Sequence, residues 1–512
     1  MFMFVKTIRV NLCVLLFKVS YLKKINMVKG IVKKRKSLLK LIKTAFSDLE
    51  QCEKIDLKDT YKLPKKKIMF PLENYPLQVH LGMDAHLLHL YPELPLSEHE
   101  DRFSEPNYIL FDPENYYSSI SGFYRLTDDD KITLGGDNTE QYAFLNTSKK
   151  LPEQQLSITN HEGKLTFKCH HPETGSCITP LLKEKNLNKI NKWRSEKVTR
   201  LAKIVGDPLK QLSAEEDLNL IQKVNKILEH EVYREKDNND QPGGVLSIPD
   251  KMIPFIIGDL HTQLDNLLTL LSQNNFLAAL ESGDACLIIL GDAVHPEIDG
   301  KYDEMESSMT IMNIIFKLKI HFPKHVFYIR GNHDGFSEDI GKKGVPQGLL
   351  WAKQLKKSRG KDYKKEMQRF YDNLPYLAYS KHFICCHAGP PTSVVNLHAL
   401  VNIKRYPNLI KDLLNRRLQN SSRMSGYNKS DIKKLRRCLN VGEQTPLIVG
   451  HTPMDDEETL WEDVGGISGH TIVYGGNPEK IGVMVRIGKN MYPLIYPVEP
   501  LTQLVSAEAK NQ

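Results

Sequence analysis

Five short segments in the second half of this 512-residue chain join a glycine to residues that hold metals or move protons. They are Gly258-Asp259-Leu260-His261, Gly291-Asp292, Gly331-Asn332-His333-Asp334, Cys386-His387-Ala388-Gly389 and Gly450-His451-Thr452-Pro453. Taken singly, a Gly-Asp is a turn and an isolated histidine is a satisfied polar group. Five such segments in order, with this mixture of carboxylate, amide oxygen and imidazole, suit a pair of first-row divalent cations.

Each segment follows an apolar, β-branched run, at 253–257, 287–290, 326–329, 383–386 and 447–449. Runs of that length bounded by glycine read as buried strands. The polar residues then stand at strand carboxyl ends and face one crevice, where α/β folds bind their ligands. Helices are expected near 262–273, 303–321, 347–374 and 430–439, which gives the region a βαβ rhythm.

The ordered set resembles the signature of the calcineurin-like metallophosphoesterases, and within them the PPP phosphoprotein phosphatases. Their motifs read GDxHG, GDxxDRG, GNHE, a later HGG or HA, and a final histidine, often as GHT. The similarity runs from about residue 253 to about residue 497, roughly half of the chain. It implies an α/β fold, a four-layer αββα core in which a β-sandwich is flanked by helices. It also implies two divalent metal ions, manganese first, with iron or zinc as alternatives. One ion would be held by Asp259 and His261, the other by Asn332, His387 and His451, with Asp292 bridging. His333 would be the general acid. A metal-bridging hydroxide would attack phosphorus directly, because a metal pair clamps the phosphoryl oxygens and acidifies the water between them.

Several positions depart from that pattern. The second motif continues Ala293-Val294-His295-Pro296-Glu297. His295 replaces the carboxylate that orients the catalytic histidine in the family, and is a candidate orienting residue. Pro296 replaces an arginine that grips the phosphate, and proline has neither charge nor donor. Thr262 replaces a glycine, and Asp334 replaces a glutamate. Arg423, with Arg405 and Arg416 as alternatives, is the candidate for a further phosphate-binding arginine that the family places between its last two histidines. Its other reading is a solvated loop arginine. The lost arginine suggests a wider mouth suited to phosphotyrosine. Tyr474 resembles a residue of the family's late loop that overhangs the site.

The net charge of +8 is misleading as an average. Residues 1–47 hold twelve Lys or Arg and no Asp or Glu, so the remainder of the chain is net acidic. Nucleic acid is therefore not an expected partner of the catalytic part. The basic leader, 1–47, reads either as disordered or as a helix on an anionic membrane surface, and Met27 is an alternative start. Its apolar stretch is too short and too charged for a membrane-spanning helix. Eight cysteines without a C-x-x-C pair suit a reducing compartment.

A β-rich part is expected over 63–180, an antiparallel α-helical hairpin over 181–236, the catalytic domain over 250–500 and a tail over 501–512. The hairpin could bind a protein partner, guide substrate or brace the core. With its appended region and altered phosphate clamp, the chain is similar to the Wip-type effector phosphatases of Legionella. That similarity implies type IV secretion into a host cytoplasm and a host phosphoprotein substrate. Two other functions fit the motifs: a dinucleoside polyphosphate or other nucleotide hydrolase of the same fold, and a catalytically degenerate scaffold that binds through the hairpin.

Overall fold

A computed structural model of the chain describes residues 52–82, 86–92, 107–113, 120, 123–136, 151–181, 185–392, 396–420 and 422–512. The basic leader lies outside the described residues. Two mixed sheets form the catalytic region. The five-stranded sheet has Ile253–Ile257 at its centre, parallel to Ala285–Ile289, which in turn is parallel to Val326–Tyr328. The hairpin of Lys480–Ile487 and Asn490–Pro497 completes it on the other side. The seven-stranded sheet runs Arg234–Lys236, Pro242–Ser247, Leu377–Ser380, Phe383–Cys386, Leu447–Val449, His470–Val473 and Leu460–Trp461.

Strand alternation explains the layering. Successive side chains of a strand face opposite sides, and here both sides are apolar. Cys286 and Ile288 join Ile256, Phe327, Ala378, Cys385 and Ile448 in the core between the sheets. Leu287 and Ile289 join Phe255, Ile257 and Val326 against the helices of one outer face. Leu377, Ile384, Leu447 and Val449 do the same beneath the helices of the other face. The result is four layers, two sheets face to face with helices outside each, as the family resemblance implies.

The structure revises several expected boundaries. The β-rich part starts at Glu53–Lys54 rather than 63. It is a sandwich of a five- and a six-stranded sheet around its own core of Leu77, Val79, Leu90, Leu110, Ile158 and Phe167. It meets the catalytic region where the Phe123 ring packs edge-on to Tyr496 at 5.2 Å. The catalytic sheets begin at Arg234, before the expected 250, because Arg234–Lys236 and Pro242–Ser247 extend the larger sheet. The single helix expected over 347–374 is two, Gln347–Arg359 and Lys361–Asp372, divided at Gly360 with φ +93. Cys169, His170, His171 and Cys177 do not converge on a common point; Gln155 donates to Cys169, and His170 pairs with Ser157.

The helices of the 181–236 region are Lys185–Val205 and Ala214–Glu229, the second opened by a capping box between Ser213 and Glu216. They are not an appendage. Leu201, Val205, Ile221, Val224 and Leu228 are buried in the same cluster as the catalytic helices. Arg359 reaches the buried Asp217, and Arg369 pairs with Glu229. Of the roles open to this region, bracing is the one these contacts serve. The expected tail is also structured: helix Leu501–Asn511 buries Leu501 and Val505, and its Thr502 binds Asp265 through both backbone N and hydroxyl. No helix of the described residues is long and apolar enough to cross a membrane.

If the last helix is part of the core, Leu501→Ala lowers the unfolding free energy by about 2–5 kcal/mol in urea denaturation. Leu504, 54% exposed on the same helix, changes it by less than about 0.5 kcal/mol when truncated.

Candidate metal centre

Loops from both sheets build the crevice. Asp259 and His261 follow Ile253–Ile257, Asp292 follows Ala285–Ile289, and Asn332 and His333 follow Val326–Tyr328. His387 and His451 come from the other sheet, after Phe383–Cys386 and Leu447–Val449. All six expected metal-site residues and His333 are thus brought together.

Backbone bonds lock these loops to one another. The N–H groups of Leu260 and His261 both donate to the Asp292 carbonyl, at 3.1 and 2.9 Å, and Thr262 N–H donates to Ala293 at 2.8 Å. His451 N–H donates to both oxygens of Asp259, and His333 N–H to Asp292 Oδ1 at 2.7 Å. Gly331 is forced by close approach, since a β-carbon there would stand 2.1 Å from Asp292 Oδ1. His261, Thr262, Asp292, His295 and His451 all hold left-handed backbone, φ between 41 and 69. Such conformations are costly for residues other than glycine and collect at functional sites. Thr262 therefore keeps the turn that the related motif makes with glycine, at the cost of strain.

Two donor clusters share Asp292. In one, Asp259, His261 and Asp292 bring one ligand atom each within 4.8 Å of the others; in the second, Asp292, His387 and His451 do so. Asn332 Oδ1 joins the second cluster at 2.8 Å from His387 Nε2, which lies 3.2 Å from His451 Nδ1 and 3.3 Å from Asp292 Oδ2. His387 Nδ1 lies 2.7 Å from the carbonyl of Leu290, and His261 Nδ1 lies 3.0 Å from that of His295. A carbonyl only accepts, so both Nδ1 atoms carry hydrogen and the neutral rings turn Nε2 lone pairs inward. Asp292 Oδ2 is buried, with only the long 3.3 Å contact to His387 Nε2. Lone pairs converging on a buried carboxylate fit a divalent cation.

Electrostatics makes the same demand. Burial raises Asp259 to about 6, against the opposing charge of His387. Asp292 is held far below the usual carboxylate range; burial opposes this, but His387 and His333 outweigh it. Burial disfavours a charge on His387, yet Asp292 and Asp259 push it up to about 9. The carboxylates call for positive charge between them. Asp334 sits behind them, accepting from Gly331 N–H at 2.7 Å and from Tyr328 Oη at 2.9 Å. Burial and then Asp292 raise it to about 7.

His295 is buried and its Nδ1 lies 3.3 Å from His333 Nδ1, so one ring donates and the other accepts. Burial lowers both imidazoles from their ordinary value, and the neighbouring His333 adds to the lowering of His295. Pro296 is buried and its carbonyl accepts from Gln347. The expected arginines are arranged differently. Arg416 is bound to Pro390, Gly426 and Asp431, and Arg405 lies by Asn239. Arg417, absent from the expected set, puts Nε 3.3 Å from His451 Nε2. Arg423 is bridged to Asn420 in the same loop, and its charge, after burial, lowers Arg417.

Glu297 is a second residue that sequence reasoning passed over, although it ends the altered motif. Its Oε1 lies 3.7 Å from His261 Nε2, and its Oε2 accepts from Tyr474 Oη at 3.1 Å and pairs with Lys342 at 2.6 Å. Burial would raise Glu297, but His261 and Lys342 prevail and hold it at about 2. Tyr474 stands over the centre, its ring 6.0 Å from that of His261.

Residues 255–474 match the family described as Calcineurin-like phosphoesterase. A segment of 164 residues is 27% identical to the serine/threonine-protein phosphatase BSL2 of Arabidopsis thaliana, over 29% of this chain and only 14% of that protein. Among solved structures, a Saccharomyces cerevisiae protein serine/threonine phosphatase with similarity to human phosphatase PP5 covers 58% of this chain with 94% of its own, at 16% identity and a TM-score of 0.42. A cold-active protein-tyrosine phosphatase of a psychrophilic Shewanella species covers 50% with 82% of its own, at 12% identity and a TM-score of 0.34. With the family match confined to 255–474, the chain carries a calcineurin-like metallophosphoesterase domain.

Proposed function

We propose that the chain is a two-metal phosphoprotein phosphatase, with Asp259, His261, Asp292, Asn332, His387 and His451 as metal ligands. The observation that carries this reading is the pair of donor clusters that share the buried carboxylate of Asp292. Manganese suits the oxygen and imidazole donors, and iron and zinc are alternatives. When bound, two such ions supply Lewis acidity toward a phosphoryl group and acidify water.

The chain's own groups do the rest. His333 is the general acid: His295 occupies its Nδ1, which leaves Nε2 to hand a proton to the leaving oxygen. His295 is then a positioning residue, doing with an imidazole what a carboxylate does in the related motif. Arg417 is the phosphate-binding arginine in preference to Arg423, because its guanidinium reaches the crevice and is held there by a single long contact to His451. No guanidinium stands where Pro296 replaces the motif arginine. The loss of that charge favours a substrate whose phosphate stands far from its backbone, as in phosphotyrosine. The appended sandwich and the altered clamp also support the narrower reading of a bacterial effector acting on a host phosphoprotein.

The deciding assay uses matched phosphotyrosine and phosphoserine peptides with added Mn²⁺. Phosphate release is expected, faster from phosphotyrosine, and at background in Asp259→Ala. Serine-favouring release would remove the argument from Pro296. Cleavage of nucleotide anhydrides alone would replace the phosphoprotein reading.

Two variants test the assigned roles. His333→Ala is expected to lower kcat by about 10²–10⁴-fold with the metal content unchanged. Arg417→Ala is expected to lower kcat/KM by about tenfold to a hundredfold, the worth of a hydrogen bond to a charged group, and Arg423→Ala by less.

A further inference from the structure

We propose that a cavity outside the metal centre binds a phosphate-bearing anion through Lys210, Lys317 and Arg359. The cavity, about 180 Å³, lies between the turn at 207–212, helix Glu306–His321 and the end of helix Gln347–Arg359. No residue assigned to the metal centre is among its walls.

The charges on these walls are unevenly matched. Lys317 is half-buried, and its Nζ donates to the Val205 carbonyl at 2.6 Å. An ammonium has three donors, and burying its charge is costly without an anion. Among the described residues, the Lys317 side chain has no other hydrogen bond and no ion pair, and that of Lys210 has neither. Burial holds Lys317 below its usual value; Asp217 and Asp207 oppose this from beyond ion-pair contact, and Lys210 adds to it. Both carboxylates are engaged elsewhere. Asp207 accepts from Ser506 Oγ at 2.5 Å and from Leu209 N–H at 2.9 Å and lies 3.6 Å from Lys510, and Asp217 is paired with Arg359. Glu306, the other acidic residue of the walls, is exposed.

The donors suit a tetrahedral anion. Arg359 commits Nε to Asp217 and Nη1 to the Ser358 carbonyl at 3.1 Å, which leaves Nη2. With the two ammoniums it brings three cationic groups to one cavity, and guanidinium and ammonium are the side chains that hold phosphate. Pro208, Leu209, Met309 and Ile314 add an apolar side, and Leu209 is 55% exposed. A drug-sized ligand occupies about 300–1,000 Å³. This smaller space takes free phosphate, or a phosphate that carries a short organic group.

Equilibrium dialysis of the full-length, manganese-loaded protein against radiolabelled inorganic phosphate tests the site. Asp259→Ala, which disables the metal centre, is expected to retain bound phosphate. Adding Lys317→Met weakens that remaining binding about tenfold to a hundredfold, the worth of a hydrogen bond to a charged group. Lys356→Met, at an exposed position of helix Gln347–Arg359 that does not line the cavity, leaves it unchanged. Thermal melting confirms that each variant is folded; should Lys317→Met not be, Lys210→Glu at an exposed position is read the same way. Displacement by benzylphosphonate at lower concentration than by phosphate assigns the site to small organic phosphates, and the reverse order assigns it to free phosphate. Loss of all phosphate binding in Asp259→Ala, or binding that Lys317→Met and Lys210→Glu leave intact, would overturn the proposal.

Discussion

Two carboxylates, Asp259 and Asp292, are buried together in the cleft between two sheets, and the rest of the site answers that constraint. Removing a charged carboxylate from water costs several kcal/mol, and placing a second beside it adds repulsion. The chain offsets this with backbone N–H donors from Leu260, His261, His333 and His451 that tie the loops and their carboxylates together, and with imidazoles whose outer nitrogens are pinned by carbonyls. Five residues accept left-handed backbone to bring these groups into place. What hydrogen bonds leave unmet is a demand for positive charge at Asp292 Oδ2, which is the physical content of the site.

The centre was legible in sequence because its residues are local to strand ends. Each candidate ligand stands within a few residues of an apolar run, so strand prediction and motif order together place Asp259, Asp292 and His387 in one crevice. Arg417 and Glu297 were harder to read for different reasons. Arg417 is one of several arginines in its interval, and only the turn that pairs Leu418 with Tyr427 selects it. Glu297 stands in an altered motif, where attention falls on the missing arginine and away from the residue that came instead. Its meaning depends on Lys342 and Tyr474, which are far away in the chain.

The helices of 185–229 show the same division on a larger scale. Their existence is legible as the helical hairpin expected over 181–236. Their placement is not, because an amphipathic helix buries its apolar face against whatever partner the fold supplies. Here the partners are catalytic helices more than a hundred residues later, as with Asn225 donating to Glu366. The last helix, Leu501–Asn511, likewise looks like a tail until Leu501 and Val505 are seen in the core.

The candidate ligands also fall on both sides of a seam. Asp259, His261, Asp292 and Asn332 belong to one sheet, His387 and His451 to the other, and away from the site the core between the sheets is apolar packing, which has no directional preference. An ion held by Asp292, Asn332, His387 and His451 would act as a rivet through the sandwich, fixing the sheets against sliding and twisting. By linkage, its binding energy becomes folding energy, about 2.7 kcal/mol when the free ion is at a hundred times its dissociation constant. Metal supply would then govern the lifetime of the folded chain as well as its chemistry.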